Sequence, residues 1–401
     1  MSLPATTLAA ATLTMVLTLL VACSKLEPPI PDDADVLDGP IPGLTYAQQA
    51  QFLAGDIAFN EETFHTANGL GPLFVATSCG ACHAGDGKGT PFTTLTRFGQ
   101  TDSTGNQYLH LGGPQWQNRA IPRYTPETLP PGATFSKFTP PANTGLGYLQ
   151  YVTDETILAM ADPFDSDGDG ISGVPNWVQP PPFVNIPNNA LSQNGKYIGR
   201  FGKKAATYDL LQQTVTAYNQ DMGITSAFNP IDAFSGLSID PEVSDKTIRD
   251  VVTYLLLLKA PIQRHTDDSR VTRGKDLFMQ ANCGACHVPQ LQTGFSPIAA
   301  LSFKTFYPYT DLLLHDMGPE LDDGYTEGYA KSYEWRTPPL WGLGLSPASQ
   351  GGQYFLMHDG RARSIEEAIQ WHGGEAANSR TYYNQLTHAD KNDLITFLKS
   401  L

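Results

Sequence analysis

Two short segments dictate much of what this chain can become: Cys79-Gly80-Ala81-Cys82-His83 and Cys283-Gly284-Ala285-Cys286-His287. Each is a C-x-x-C-H pattern, the signature of covalent c-type haem attachment. Two cysteines one helical turn apart reach the two vinyl groups of a porphyrin, and the adjacent histidine turns beneath the ring as an axial iron ligand. A dithiol redox pair has no need of the following histidine, and no βαβ pattern surrounds either copy. A zinc site made from the same thiols would have to bridge about 200 residues, far beyond a compact ribbon. The sequence therefore predicts two covalently bound haems on Cys79, Cys82, Cys283 and Cys286, with His83 and His287 as iron ligands.

The rest of the chain fits a folded, exported carrier of such groups. Its 401 residues can bury a sizeable core, and 10% aromatic residues argue against disorder. Charged residues make up only 16% against 31 prolines and 37 glycines, which disfavours helical repeats and favours ordered loops. The net charge of −15 repels phosphate backbones, so nucleic acid is not an expected partner. Residues 1–22 contain no Asp, Glu, Lys or Arg and include the apolar run from Leu13 to Ala22, which reads as a signal peptide. The following Leu20-Val21-Ala22-Cys23 resembles a bacterial lipobox, although the usual basic residues at the start are missing. Cys23 is then a lipid anchor, and Ser24 fits outer-membrane sorting. The expectation is a periplasm-facing lipoprotein of a Gram-negative outer membrane, touching the membrane only through that anchor, with 23–43 as a Pro/Asp-rich tether.

A weak internal repeat accompanies the two haem motifs. Phe74 and Phe278 each stand five residues before a first cysteine, and each half ends on a similar amphipathic segment, Val252 to Leu255 after Ser244/Asp245 and Ile395 to Leu398 after Thr387/Asp390. The predicted fold is mainly α, with two cytochrome c-like haem domains, 44–260 and 261–401, long ordered loops and little sheet. Within the first domain, Asp165, Asp167 and Asp169 alternate before Gly170, and the carbonyl of Ile171 would complete the first half of an EF-hand-like loop for one calcium ion. Position twelve is Asn176 rather than the usual closing Glu, so a solvated Asp/Gly turn remains an alternative.

Several further segments carry a family resemblance: Ser78 to His83, Asp165 to Gly173, Asp221-Met222-Gly223-Ile224-Thr225-Ser226, Leu313-Leu314-His315-Asp316-Met317-Gly318, Glu334 to Gly344, and His358-Asp359-Gly360-Arg361-Ala362. On these the chain resembles the bacterial di-haem oxidoreductases, within the wider di-haem cytochrome c peroxidase superfamily. The resemblance implies a peroxidatic N-terminal haem and a C-terminal haem that receives electrons. It also implies a distal ligand fourteen residues after His358, and that count lands on His372, where peroxidases usually have methionine. Histidine there donates more strongly than a thioether and should lower the potential of that haem. His315, Arg336 and His358 fall in the family segments and are expected near the haems, Arg336 being suited to bind carboxylates.

The expected function is peroxidase-like: electrons pass from a periplasmic donor, a cytochrome or cupredoxin, to hydrogen peroxide or another small oxidant at the N-terminal haem. Such chemistry needs a group that moves a proton between the peroxide oxygens. The loop after the first motif offers Glu127 and Gln115 for that role, His110 as a removable distal ligand, and Trp116 as a bridge between haems. Two alternatives stay open: a pure electron-transfer cytochrome with both irons six-coordinate, and an oxygen-activating enzyme acting on an organic substrate.

Overall fold

Helix caps written into the sequence set the frame. In the computed structural model, which describes residues 32–99, 106–111 and 113–401, the helices that position the site are α1 (Tyr46–Asp56), α2 (Leu210–Met222), α3 (Asp245–Leu257), α4 (Ser269–Gln280), α5 (Ile365–Gln370) and α6 (His388–Ser400). Thr45 and Gln48 form a capping box at α1; Ser244 and Thr387 accept from the backbone N–H groups of Thr247 and Asp390 at the starts of α3 and α6. Strands are short and come in small antiparallel pairings. β1 (Leu95–Phe98) pairs with β2 (Phe135–Phe138), and β3 (Leu314–Asp316) with β4 (Glu334–Arg336), placing His315 opposite Trp335. The fold is mainly α, as the sequence predicts. Residues 1–22 and Cys23 lie outside the described residues. Among the described residues no helix is long and apolar enough to cross a membrane.

The internal repeat is deeper than the sequence suggests and is paired differently. α1 crosses α3, and α4 crosses α6, each over a glycine. A Cβ on Gly55 would lie 2.1 Å from the Asp250 carbonyl oxygen, and one on Gly274 would lie 2.1 Å from that of Asp393. Four residues after each glycine comes a phenylalanine: Phe59 packs 5.5 Å from Tyr254, and Phe278 5.4 Å from Phe397. Those rings also meet the motif histidines, Phe59 on His83 at 5.9 Å and Phe278 on His287 at 6.4 Å, both tilted by 54°. The partner of Phe278 is thus Phe59 and not Phe74, which pairs with Arg119 in a two-residue strand. The reason is an extra stretch of chain between α1 and the first motif, which the second half lacks. Gly274→Val forces a side chain into backbone and is expected to cost about 3 kcal/mol, read as a lowered urea midpoint of the haem-loaded protein.

Residues Leu37–Leu401 form one compact unit. Its largest hydrophobic core draws from both sides of position 260, including Ile41, Phe52, Phe59, Val251 and Leu255 on one side and Leu291, Phe306, Leu313 and Trp341 on the other.

Candidate functional site

The second motif is the more fully specified of the two. Asn282 closes α4 with φ of 57°, a left-handed turn that throws Cys283–Ala285 into a 3-10 turn, and the His287 N–H donates to the Cys283 carbonyl at 2.9 Å. The His287 Nδ1 donates to the Tyr309 carbonyl at 3.0 Å. His372 follows α5, whose cap is Ser364, and its Nδ1 donates to the Ala368 carbonyl at 2.7 Å. A carbonyl only accepts, so both protons sit on Nδ1 and both Nε2 lone pairs are left as ligands. The ring centres are 6.5 Å apart. Two imidazoles sharing one metal through nitrogens at about 2.0 Å would have centres roughly 6 Å apart, so the gap fits a single iron. Burial keeps both rings neutral, lowering His372 and taking His287 down to about 4, with the neighbouring His372 adding to the latter.

The first motif has the same attachment geometry and a different opposite face. The N–H groups of Cys82 and His83 both donate to the Cys79 carbonyl, at 3.1 and 3.0 Å, and His83 Nδ1 donates to the Pro141 carbonyl at 3.0 Å. Burial takes His83 to about 4 and pushes the thiols of Cys79 and Cys82 up to about 12 and about 11, with Asp221 raising both further. Among the described residues no histidine ring pairs with His83 as His372 does with His287. A single cavity of about 600 Å³ is lined by both motifs, His372, Arg97, Asp221 and Glu327. Arg97, on β1, stands 2.9 Å from Glu327. Asp221, at the end of α2, is raised to about 7 by burial, which the charge of Arg97 partly opposes.

Comparison with known families places this arrangement. A family model described as "Di-haem oxidoreductase, putative peroxidase" matches residues 138–401. The chain belongs to this family. As a di-haem oxidoreductase it is expected to hold two haems; the first motif lies before the matched stretch, and the second motif, Asp221 and His372 lie within it. Among solved structures it is similar to hydrazine synthase from Kuenenia stuttgartiensis, at 15% identity over 94% of each chain with a TM-score of 0.40. It is also similar to the diheme peroxidase BthA from Burkholderia thailandensis, at 17% identity over 88% of this chain and 86% of the other, with a TM-score of 0.39. No curated protein sequence matches it.

The residues of the di-haem oxidoreductase singled out from sequence fall into two groups. His315, Arg336 and His358 line the cavity, together with Trp335 and Trp341 of the family segment Glu334 to Gly344. His315 is held between Asp311 at 2.8 Å and Glu375 at 2.7 Å, with the Cys286 sulfur 3.5 Å away. Burial opposes a charge on His315, but its hydrogen bonds to Asp311, Cys286 and Glu375 outweigh it and hold the ring well above its ordinary value. His358 stacks on Trp335 at 3.7 Å and bonds Asp323 at 2.8 Å. By contrast, His110, Gln115, Trp116 and Glu127 do not line the cavity. His110 is exposed. Gln115 is buried and donates to the Thr96 carbonyl, Trp116 donates to the Glu127 carbonyl, and the Glu127 carboxylate accepts from the Gln117 N–H at 2.7 Å. Gln115 thus holds β1, which presents Arg97, whereas the Trp116 and Glu127 side chains bond within their own loop.

In the acidic loop, carboxylate oxygens of Asp165, Asp167 and Asp169 lie within 4.8 Å of one another. Ile171 lines the cavity, and Ser172 donates its N–H and hydroxyl to Glu375. Asn176, at the twelfth position, is turned away: its amide bonds the carbonyls of Lys204 and Glu327 and the Tyr329 N–H. Sequence reasoning missed Arg97 and Glu327 as cavity residues and read Asp221 only as part of a family segment; no local motif links three residues so far apart.

Proposed function

We propose that this di-haem oxidoreductase reduces hydrogen peroxide with electrons delivered by a basic cytochrome or cupredoxin. A haem on Cys79, Cys82 and His83 would supply the centre where peroxide is reduced, and one on Cys283, Cys286, His287 and His372 the centre that receives electrons. The observation carrying this reading is the asymmetry between two histidines: His287 faces His372 across a gap sized for one iron, whereas among the described residues no histidine faces His83, in whose cavity Asp221 and Arg97 also stand. A closed imidazole pair suits electron transfer, and an accessible face suits an incoming ligand.

Asp221 does the proton work. Its carboxylate takes the proton from the inner peroxide oxygen and returns it to the outer one as the O–O bond breaks. Arg97, electrostatically coupled to Asp221, keeps positive charge near the bond that gains electrons. In balance, one peroxide takes up two electrons and two protons and leaves as two waters.

Low-temperature EPR of the purified protein tests the reading. One low-spin ferric signal and one high-spin signal that disappears on adding peroxide are expected; two low-spin signals indifferent to peroxide would make the protein an electron carrier. Mass spectrometry of the denatured chain reads the attachment and export expectations together, as two retained haem masses on a chain cleaved before an acylated Cys23.

A further inference from the structure

The cavity wall carries a cluster of cations with which no described carboxylate forms an ion pair. Lys88, Lys203 and Arg336 all line it. The Arg336 N–H donates to the Lys203 carbonyl at 2.9 Å, and its Nε to the Gly202 carbonyl at 2.9 Å, so the Arg336 guanidinium is fixed against the backbone of Lys203. The Arg336 Nη1 goes to the Thr337 carbonyl at 3.2 Å, again a neutral acceptor. Lys88 comes five residues after His83, anchored where Ser349 donates to its carbonyl at 3.0 Å. Among the described residues no carboxylate forms an ion pair with any of the three. The carboxylates that act on Lys203 and Arg336 are already engaged: Asp359 with Arg361 at 2.9 Å and Asp311 with His315 at 2.8 Å.

Three like charges facing one enclosed space are costly unless an anion joins them. Their mutual repulsion is visible: burial first, then Lys88 and Arg336, take Lys203 down to about 7, and burial alone takes Lys88 to about 8. Arg97, also in the cavity wall, has no such deficit, because Glu327 and Asp221 act on it.

We propose that Lys88, Lys203 and Arg336 form the binding site for the propionate carboxylates of the haem carried by Cys79 and Cys82. A haem fixed by its vinyl carbons presents its two propionates at the far edge of the ring. Lys203 acts on the His83 imidazole, and Lys88 and Arg336 act on Lys203, so the cluster stands in the wall beside the ring that His83 would ligate. Arg336 supplies a planar fork for a carboxylate, and the lysines supply point charges. The inference rests on the di-haem reading.

The test uses Lys88→Met, Lys203→Met and the double variant of the full haem-loaded chain, with Lys203→Arg as a charge-preserving control. Haem content is measured first; wild-type protein without two haems would overturn the di-haem reading itself. With two haems present, removing a cation beside a propionate favours the ferric state. The expected result is a downward shift in the midpoint potential of the N-terminal haem and a displaced propionate band in resonance Raman spectra. The shift should be larger in the double variant, absent in Lys203→Arg and absent at the C-terminal haem. Unchanged potential and propionate bands in Met variants that keep both haems overturn the proposal, as would weakened binding of added inorganic phosphate with unchanged bands, which would assign the cations to a free anion.

Discussion

Asp221→Asn is expected to lower kcat/KM for hydrogen peroxide by about 10²- to 10⁴-fold, the range that a positioned acid–base group contributes. The amide keeps the shape of the carboxylate and cannot accept the proton. The pH profile supplies a second readout. Asp221 is held at about 7 by burial, and the form that accepts a proton is the ionised one. Wild-type kcat/KM should therefore climb as pH rises through about 7, and that limb should vanish in the variant. Stability should move the other way. A carboxyl whose folded pKa lies above its unfolded value costs the folded state nothing below the unfolded pKa, and its cost grows until pH passes the folded pKa. At pH 8 the variant should melt above the wild type. A variant that loses both activity and stability would show that Asp221 is structural.

His372→Met should raise the potential of the C-terminal haem by on the order of 100 mV, well inside the ~0.8 V that axial ligands span. Thioether sulfur is the weaker donor to ferric iron, so replacing imidazole destabilises the oxidised state. The imidazole is also strengthened by its Nδ1–H bond to the Ala368 carbonyl, which methionine cannot make. Spectroelectrochemistry reads the shift, and the low-spin EPR signal should change its g-values. An unchanged potential would remove His372 from the ligand set and leave its place opposite His287 as packing alone.

Local turn geometry and helix capping were legible in the sequence. The two C-x-x-C-H segments, and the caps at Ser244 and Thr387, are decided by neighbours within a few residues, and the structure keeps them. His372 was reachable only through the family resemblance, since nothing within its own turn marks it as facing His287. The cavity walls were not legible. Arg97, Asp221 and Glu327 meet through β1, the end of α2 and a loop after β3, and their chemistry exists only when tertiary packing assembles them. Proximity in sequence points to the loop after the first motif, but there Gln115 holds β1 and the Trp116 and Glu127 side chains bond within the loop. The repeat was read one phenylalanine out of place for a related reason. Phe74 has the right spacing to Cys79, but Phe59 has the right spacing to the glycine crossing, and packing obeys the crossing.

The paired glycine crossings also bear on how the chain finds its fold. Gly55 meets Asp250 across about 200 residues, and Gly274 meets Asp393 across about 120. Loop-closure entropy grows only logarithmically, at ~0.6 kcal/mol per doubling, so the extra length in the first half is nearly free at equilibrium. Its toll falls on the search, because distant contacts form slowly. The first half can thus carry the loops that build a reactive pocket without losing stability, while the C-terminal crossing, with the shorter search, has the kinetic lead in folding.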